Sequence, residues 1–185
     1  GYLDEAEWDN KSTEEQAEIM RICTEYDSEG PNLEIQRIVG ASPEAVFEHF
    51  TCADELKSWW GPRSGRIDWT TPSVEISPRR GGRFRTCVRS PEGQDYWASG
   101  TFLEVEKPDR LVFTHQWEED HGPLPEVKRI RLTLSPFGRQ TRVRMRIDGY
   151  TSECSRDSEV EGWHQCLDRL VEHIQKTDDE AVIRS

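Results

Sequence analysis

Residues 158–176, SEVEGWHQCLDRLVEHIQK, place Val160, Trp163, Leu167, Leu170, Val171 and Ile174 on one face of a helix, at i, i+3, i+7, i+10, i+11 and i+14. This helix follows a series of strand-like runs joined by short turns. They are LEIQRIV, SGRIDWTTPSVEIS, GRFRTCVRS, YWASGTFLEVE, RLVFTHQWEE, VKRIRLTLS and TRVRMRIDGY. Their turns carry Gly, Pro and Asp (Pro78 to Gly82, PEGQ, KPD, DHGPLPE, PFGRQ), which predicts an antiparallel meander. One long amphipathic helix and one meander must bury each other's apolar faces. The expected class is therefore α+β, a seven-stranded antiparallel sheet with a long C-terminal helix.

Two short helices are expected after the first strand. SPEAVFEHFT has Ser42 as N-cap and Pro43 at the first helical position, with Val46, Phe47 and Phe50 on its apolar face. ADELKSWWGP is stopped by Gly61-Pro62 just after adjacent tryptophans, Trp59 and Trp60. The first 32 residues read as an extension with one helix. Ser12 and Glu15 form its capping box, and Ile19, Ile22, Cys23 and Tyr26 form its stripe. A chain of 185 residues then divides into an extension over 1–32, one domain over 33–177 and a tail over 178–185.

Strand alternation assigns the inward faces. Val143, Met145 and Ile147 alternate with Arg142, Arg144 and Arg146, and Ile130, Leu132 and Leu134 with Arg129, Arg131 and Thr133. Phe84, Thr86 and Val88 face in, as do Leu111, Phe113, His115 and Trp117. The five arginines of the last hairpin, Arg129, Arg131, Arg142, Arg144 and Arg146, form an outer face. It is either a solvated surface with cross-strand ion pairs to Glu34, Glu104 or Glu106, or a docking surface for an acidic protein partner.

A net charge of −12 argues against nucleic acid as a partner. No run is long enough to span a bilayer and no signal-like segment opens the chain, so a cytoplasmic location away from membranes is expected. The five cysteines (Cys23, Cys52, Cys87, Cys154 and Cys166) lie far apart. They predict neither a zinc cluster nor a disulfide framework, and we expect reduced thiols, no metal and no cofactor.

The segments ASPEAVFEHFTCADELKSWWGP, ISPRRGGRFR, GTFLEVEKPDRLVFTHQW and EGWHQCLDRLVEHI occur in an order that resembles the activator-of-heat-shock-chaperone-ATPase homologue (AHSA-type) family. This family lies within the START/Bet v 1-like (SRPBCC) superfamily. The resemblance covers about residues 33–176. It implies the helix-grip fold, in which a curved sheet grips the C-terminal helix and the cavity between them takes hydrophobic small molecules. It also implies that Trp59 and Trp60 end the second short helix at that cavity, one anchoring and one lining, and that Gly81-Gly82 form a tight turn. Eukaryotic chaperone activators in the family carry a further chaperone-binding domain before this one. Here a single helix is expected in its place, which argues against activation of a chaperone ATPase; a co-chaperone-like protein-binding module is a further alternative reading.

The inward aromatic and apolar set Trp60, Trp69, Phe84, Trp97, Phe113, His115, Trp117, Leu132, Met145 and Trp163 is the candidate ligand-binding set, since flat rings suit stacking on a polycyclic ligand. No GxSxG, HExxH, P-loop or dinucleotide fingerprint is present. His115 is the histidine with a claim to an apolar face. It is a candidate general base, with Asp68 or Asp148 to orient it, or else a core residue or a hydrogen bond to ligand. His164 and Asp168 are spaced to pair on the last helix. The expected function is non-catalytic binding or sequestration of a hydrophobic, polycyclic small molecule. The resemblance allows a narrower version, self-sacrifice resistance to an enediyne. There a backbone glycine gives up hydrogen and the chain is cleaved, with Gly122 as candidate. An enzyme of the polyketide cyclase or aromatase type is the alternative.

Overall fold

The computed structural model describes residues 30–184 together with Ser12 and Glu14. The helix expected within 1–32, with its stripe of Ile19, Ile22, Cys23 and Tyr26, lies outside the described residues. Strand β1 (Leu33–Val39) leads into α1 (Pro43–Thr51) and α2 (Ala53–Trp59). The Ser42 hydroxyl accepts from the Ala45 amide at 3.3 Å, and Pro43 occupies the first turn, where its missing N–H costs nothing. Cys52 joins the two helices, its amide donating to Glu48 O at 2.9 Å.

The segment expected as one strand, SGRIDWTTPSVEIS, is three. A two-residue hairpin of β2 (Arg63–Ser64) and β3 (Ile67–Asp68) precedes β4 (Thr70–Ile76). Gly65, at φ +62°, turns the chain between them. Then follow β5 (Arg83–Arg89), β6 (Asp95–Glu106), β7 (Arg110–Glu119), β8 (Gly122–Pro123), β9 (Lys128–Phe137), β10 (Gln140–Asp148) and α3 (Glu153–Ile183). Gly82 sits so tightly in the turn before β5 that a Cβ there would lie 1.9 Å from Ser77 O.

The sheet runs β1-β10-β9-β7-β6-β5-β4, antiparallel throughout, with β8 pairing the far end of β7. Register shifts in β4 between Thr70 and Ser73 and in β6 between Phe102 and Glu104 bend those strands, as bulges do. The result is a curled half-barrel gripping α3, as the family resemblance implies. Trp163, Cys166, Leu167, Leu170 and Ile174 of α3 are buried against the sheet. The helix is longer than its apolar stripe, running from the Ser152 cap to Ile183.

The outer arginine face is largely engaged within the sheet. Arg144 meets Glu34 at 2.5 Å, and Arg146 meets Asp148 at 3.1 Å. Arg142 lies over the Phe137 ring at 5.0 Å. Arg129 departs from the expected solvated position, being buried beside Asp148 at 3.9 Å. No described helix is long and apolar enough to cross a membrane.

Candidate ligand cavity

The tandem tryptophans divide their work because α2 ends between them. Trp59 is the last helical residue and is fully buried; its indole N–H donates to His49 O at 3.1 Å. Its ring meets Phe50 and Trp60 edge-to-face at 5.0 and 5.4 Å. It is the anchor. Trp60 has left the helix, with ψ 131°, and turns toward α3, where it meets Trp163 at 5.6 Å. Gly61 follows at φ +119°, a conformation that disfavours any side chain.

The carbonyls that end α2 have no helical partners. Arg169 of α3 supplies them: its Nη1 donates to Trp60 O at 3.2 Å and Gly61 O at 3.0 Å. The Thr71 hydroxyl donates to Trp60 O as well. A buried arginine on the inner helix thus fixes the turn that presents Trp60.

Between this turn, α3 and the concave face of β5–β7 lies a cavity of about 210 Å³. Trp60, Gly61, Pro62 and Trp69 form one wall. Thr86, Val88, Tyr96, His115 and Trp117 form the second, and Ser158, Glu159, Gly162, Trp163 and Cys166 the third. Thr86, Val88, His115 and Cys166 are buried at its floor, whereas Tyr96 and Ser158 are exposed at its mouth. The rings form a chain on one side and a separate pair on the other. Trp163 meets His115 at 5.3 Å, His115 meets Trp117 at 5.0 Å, and Trp69 lies on Tyr96 at 5.3 Å.

Five of the ten residues expected to line the cavity come together there: Trp60, Trp69, His115, Trp117 and Trp163. Phe84 and Phe113 pack in the aromatic cluster beside it and border a separate void of about 20 Å³. Leu132 and Met145 are core residues farther along the sheet, lining neither space. Trp97 is on the other side. It pairs with Cys87, one residue out of phase with inward Thr86 and Val88, and the Arg85 guanidinium covers its ring at 4.0 Å. Its neighbour Tyr96, in register with Val88, takes the inward place. Gly122 begins β8, paired with Glu119, and is not among the residues that line the cavity.

The polar end of the cavity was not legible in sequence. Lys128 pairs with His115 across β7 and β9 and so points inward, fully buried. Its Nζ donates to Glu159 Oε2 at 2.6 Å, and the Trp163 indole N–H donates to Glu159 Oε1 at 3.0 Å. Lys128 also stands over the rings of Trp117 and Tyr150 at 5.6 and 5.7 Å. Burial, and then the Lys128 charge, hold the His115 imidazole well below the ordinary histidine range. It is neutral, and its buried Nδ1 has no hydrogen-bond partner among the described residues. Burial pushes the Cys166 thiol up to about 11, so it stays protonated.

Neither expected orienting carboxylate reaches His115. Asp68 is held by Arg63 at 2.5 Å, and Asp148 by Arg146 at 3.1 Å. His164 and Asp168 do not pair with each other but share Arg37 of β1, at 3.0 and 2.8 Å.

The sequence matches the family described as Activator of Hsp90 ATPase homolog 1-like protein over residues 40–175. No curated protein matches the chain. Among solved structures, the AHSA1 protein of Silicibacter pomeroyi superposes with a TM-score of 0.70 at 25% identity, covering 80% of this chain and 99% of that one. A protein of Nitrosomonas europaea gives 0.67 at 24% identity, covering 80% and 96%. A Rhodobacter sphaeroides protein gives 0.66 at 24% identity, covering 80% and 96%. These likenesses show the fold.

Proposed function

We propose, for a chain that belongs to the Activator of Hsp90 ATPase homolog 1-like family, that the sheet–helix cavity binds a hydrophobic aromatic small molecule and sequesters it unchanged. The observation that carries this reading is the composition of the wall. Four indoles and a tyrosine surround a hollow whose floor holds a neutral imidazole. Rigid rings offer flat contact at little entropic cost and do not close on one another.

Volume limits the ligand. A dry apolar cavity of ~150 Å³ takes a benzene ring, so about 210 Å³ holds roughly two fused rings. Anything larger extends past Tyr96 into solvent. His115 has no carboxylate partner among the described residues and Cys166 is protonated, which favours holding over turnover. The narrower role, sacrifice to a radical-forming enediyne, needs a glycine against the ligand. Gly61 and Gly162 meet that condition and Gly122 does not, so cleavage would map to the first two by mass spectrometry.

The direct test is titration of tryptophan fluorescence with naphthalene- to anthracene-sized compounds. Saturable quenching is expected. It is lost in Gly162→Phe, which fills the mouth, and kept in Trp97→Phe on the convex face. Absence of saturable quenching, or equal quenching in both variants, rejects the reading. Turnover of a cyclisable polyketide that disappears in His115→Gln with binding intact would instead favour an enzyme.

A further inference from the structure

The sequence offers no metal motif, yet the fold assembles one from residues far apart in the chain. His49 on α1, Glu55 on α2 and His173 on α3 meet at the closed end of the grip, all three half-buried. Nε2 of His49 lies 3.2 Å from Glu55 Oε2, and Nε2 of His173 lies 3.6 Å from the same oxygen. One ligand atom from each residue lies within 4.8 Å of the others.

The tautomer of His49 decides what this arrangement needs. Nδ1 of His49 lies 2.7 Å from Ala45 O. A carbonyl only accepts, so Nδ1 carries a proton and donates it. In the neutral ring Nε2 then presents a lone pair directly to a carboxylate oxygen. Two acceptors at 3.2 Å repel unless a cation stands between them. A proton on His49 Nε2, with His173 in its neutral Nε2–H form, would also satisfy that oxygen, at the cost of one imidazolium in edge contact with the other ring, centroids 5.6 Å apart. One divalent ion satisfies all three groups with both rings neutral.

The spacing fits. Ligand atoms bound at ~2.0–2.1 Å around a tetrahedral ion stand about 3.3–3.4 Å apart, between the 3.2 and 3.6 Å observed. The Ala45 carbonyl behind His49 is the outer partner that orients a metal-ligating imidazole and makes it more basic. Two imidazoles and a carboxylate suit zinc and its late first-row neighbours, and leave the fourth position to water.

We propose that His49, Glu55 and His173 bind a zinc-class divalent cation that ties α1 and α2 to α3. The ion would lie directly behind the anchor, because the Trp59 indole already donates to His49 O. Occupancy would stiffen the helix pair whose last turn presents Trp60 to the cavity.

The test uses the whole chain stripped of metal with a chelator, titrated with Zn²⁺ by calorimetry and with Co²⁺ by visible absorption. We expect one equivalent of Zn²⁺, the intense visible bands of tetrahedral Co²⁺, and a zinc-dependent rise in Tm. Glu55→Gln and His173→Ala should each weaken binding about tenfold or more and abolish the rise in Tm. His121→Ala, in the exposed β7–β8 turn, should leave both unchanged. The zinc-dependent shift is the readout, so a variant that is less stable without metal remains informative. No binding below millimolar zinc overturns the proposal. So does equal binding in both variants, which would mark an adventitious ion only.

Discussion

The concave interior has two halves built on different rules. Under β1, β10 and β9 it is aliphatic. Ile35, Leu132, Met145, Ile147, Leu167 and Leu170 are each 0–2% exposed and line neither cavity. Under β5–β7 it is aromatic and hollow. Branched aliphatic chains interdigitate to crystal-like density, whereas rigid rings in edge-to-face contact cannot fill the corners between them. Small residues opposite the rings (Gly61, Thr86 and Gly162) leave the remaining space open. Phe84, Phe102 and Phe113 form the partition between the halves, their centroids 5.3 to 6.0 Å apart. One half supplies stability; on the proposed reading, the other gives up some of it for a binding surface.

If the hollow half lacks dense packing, its polar pairs must hold it. Lys128→Met gives the sharpest test. It keeps apolar volume but strands Glu159, which the Lys128 ammonium and the Trp163 indole both engage. Breaking one side of a buried pair costs about 3–5 kcal/mol. Glu159 retains 14% of its side-chain exposure, so the lower end of that range is expected, measured by urea denaturation. Lys128→Met combined with Glu159→Gln should recover most of the loss, since both charges are then gone and the acceptor for Trp163 remains. A single variant as stable as the parent would show that packing alone holds this half, and the contrast would fail.

The two halves also differ in how far the sequence revealed them. Alternation in β9 and β10 fixed the packed half, because Ile130, Leu132, Leu134, Val143, Met145 and Ile147 are interrupted only by polar residues. In β6 the adjacent pair Tyr96-Trp97 offers two aromatic phases, and alternation cannot choose between them. The choice rests on register with β5, a long-range property. Lys128 is hidden for another reason: it stands in phase with inward Ile130, Leu132 and Leu134, but a lysine at a strand end reads as solvated, and only its burial beside Glu159 shows that the charge stays inside. The helix-spanning contacts of Arg169, and the meeting of His49 with His173, join segments over 100 residues apart and leave no local pattern.

A smaller effect separates the halves by pH. His115 is buried and neutral, so its folded pKa lies well below the ordinary histidine value of about 6.5. Below pH 6.5 the unfolded chain binds a proton that the folded chain refuses. The contribution of this group is therefore complete above 6.5 and is lost as pH falls, at about 1.4 kcal/mol per pH unit. His115→Gln should flatten the stability profile between pH 6.5 and 5. At lower pH both proteins should lose stability together, as Glu34 and Asp95 lose the hydrogen bonds from Arg144 and Arg89 that hold them low. Parallel slopes above pH 5 would place His115 in contact with water and undo the description of the cavity floor.

The smallest expected effect bears most directly on why the hollow exists. Gly162 lies within α3, where glycine costs about 0.5–1 kcal/mol relative to alanine. A Cβ at this position would meet only Pro62 Cβ, at 3.8 Å, an ordinary contact. Gly162→Ala should therefore stabilise the fold by about 0.5–1 kcal/mol while narrowing the mouth and weakening ligand binding. A glycine kept where alanine fits and would add stability is accounted for by the space it leaves. Folding stability and fluorescence titration should move in opposite directions in this one variant. If Gly162→Ala instead destabilises the chain, the mouth is already packed, and the aromatic half differs from the aliphatic half in composition but not in kind.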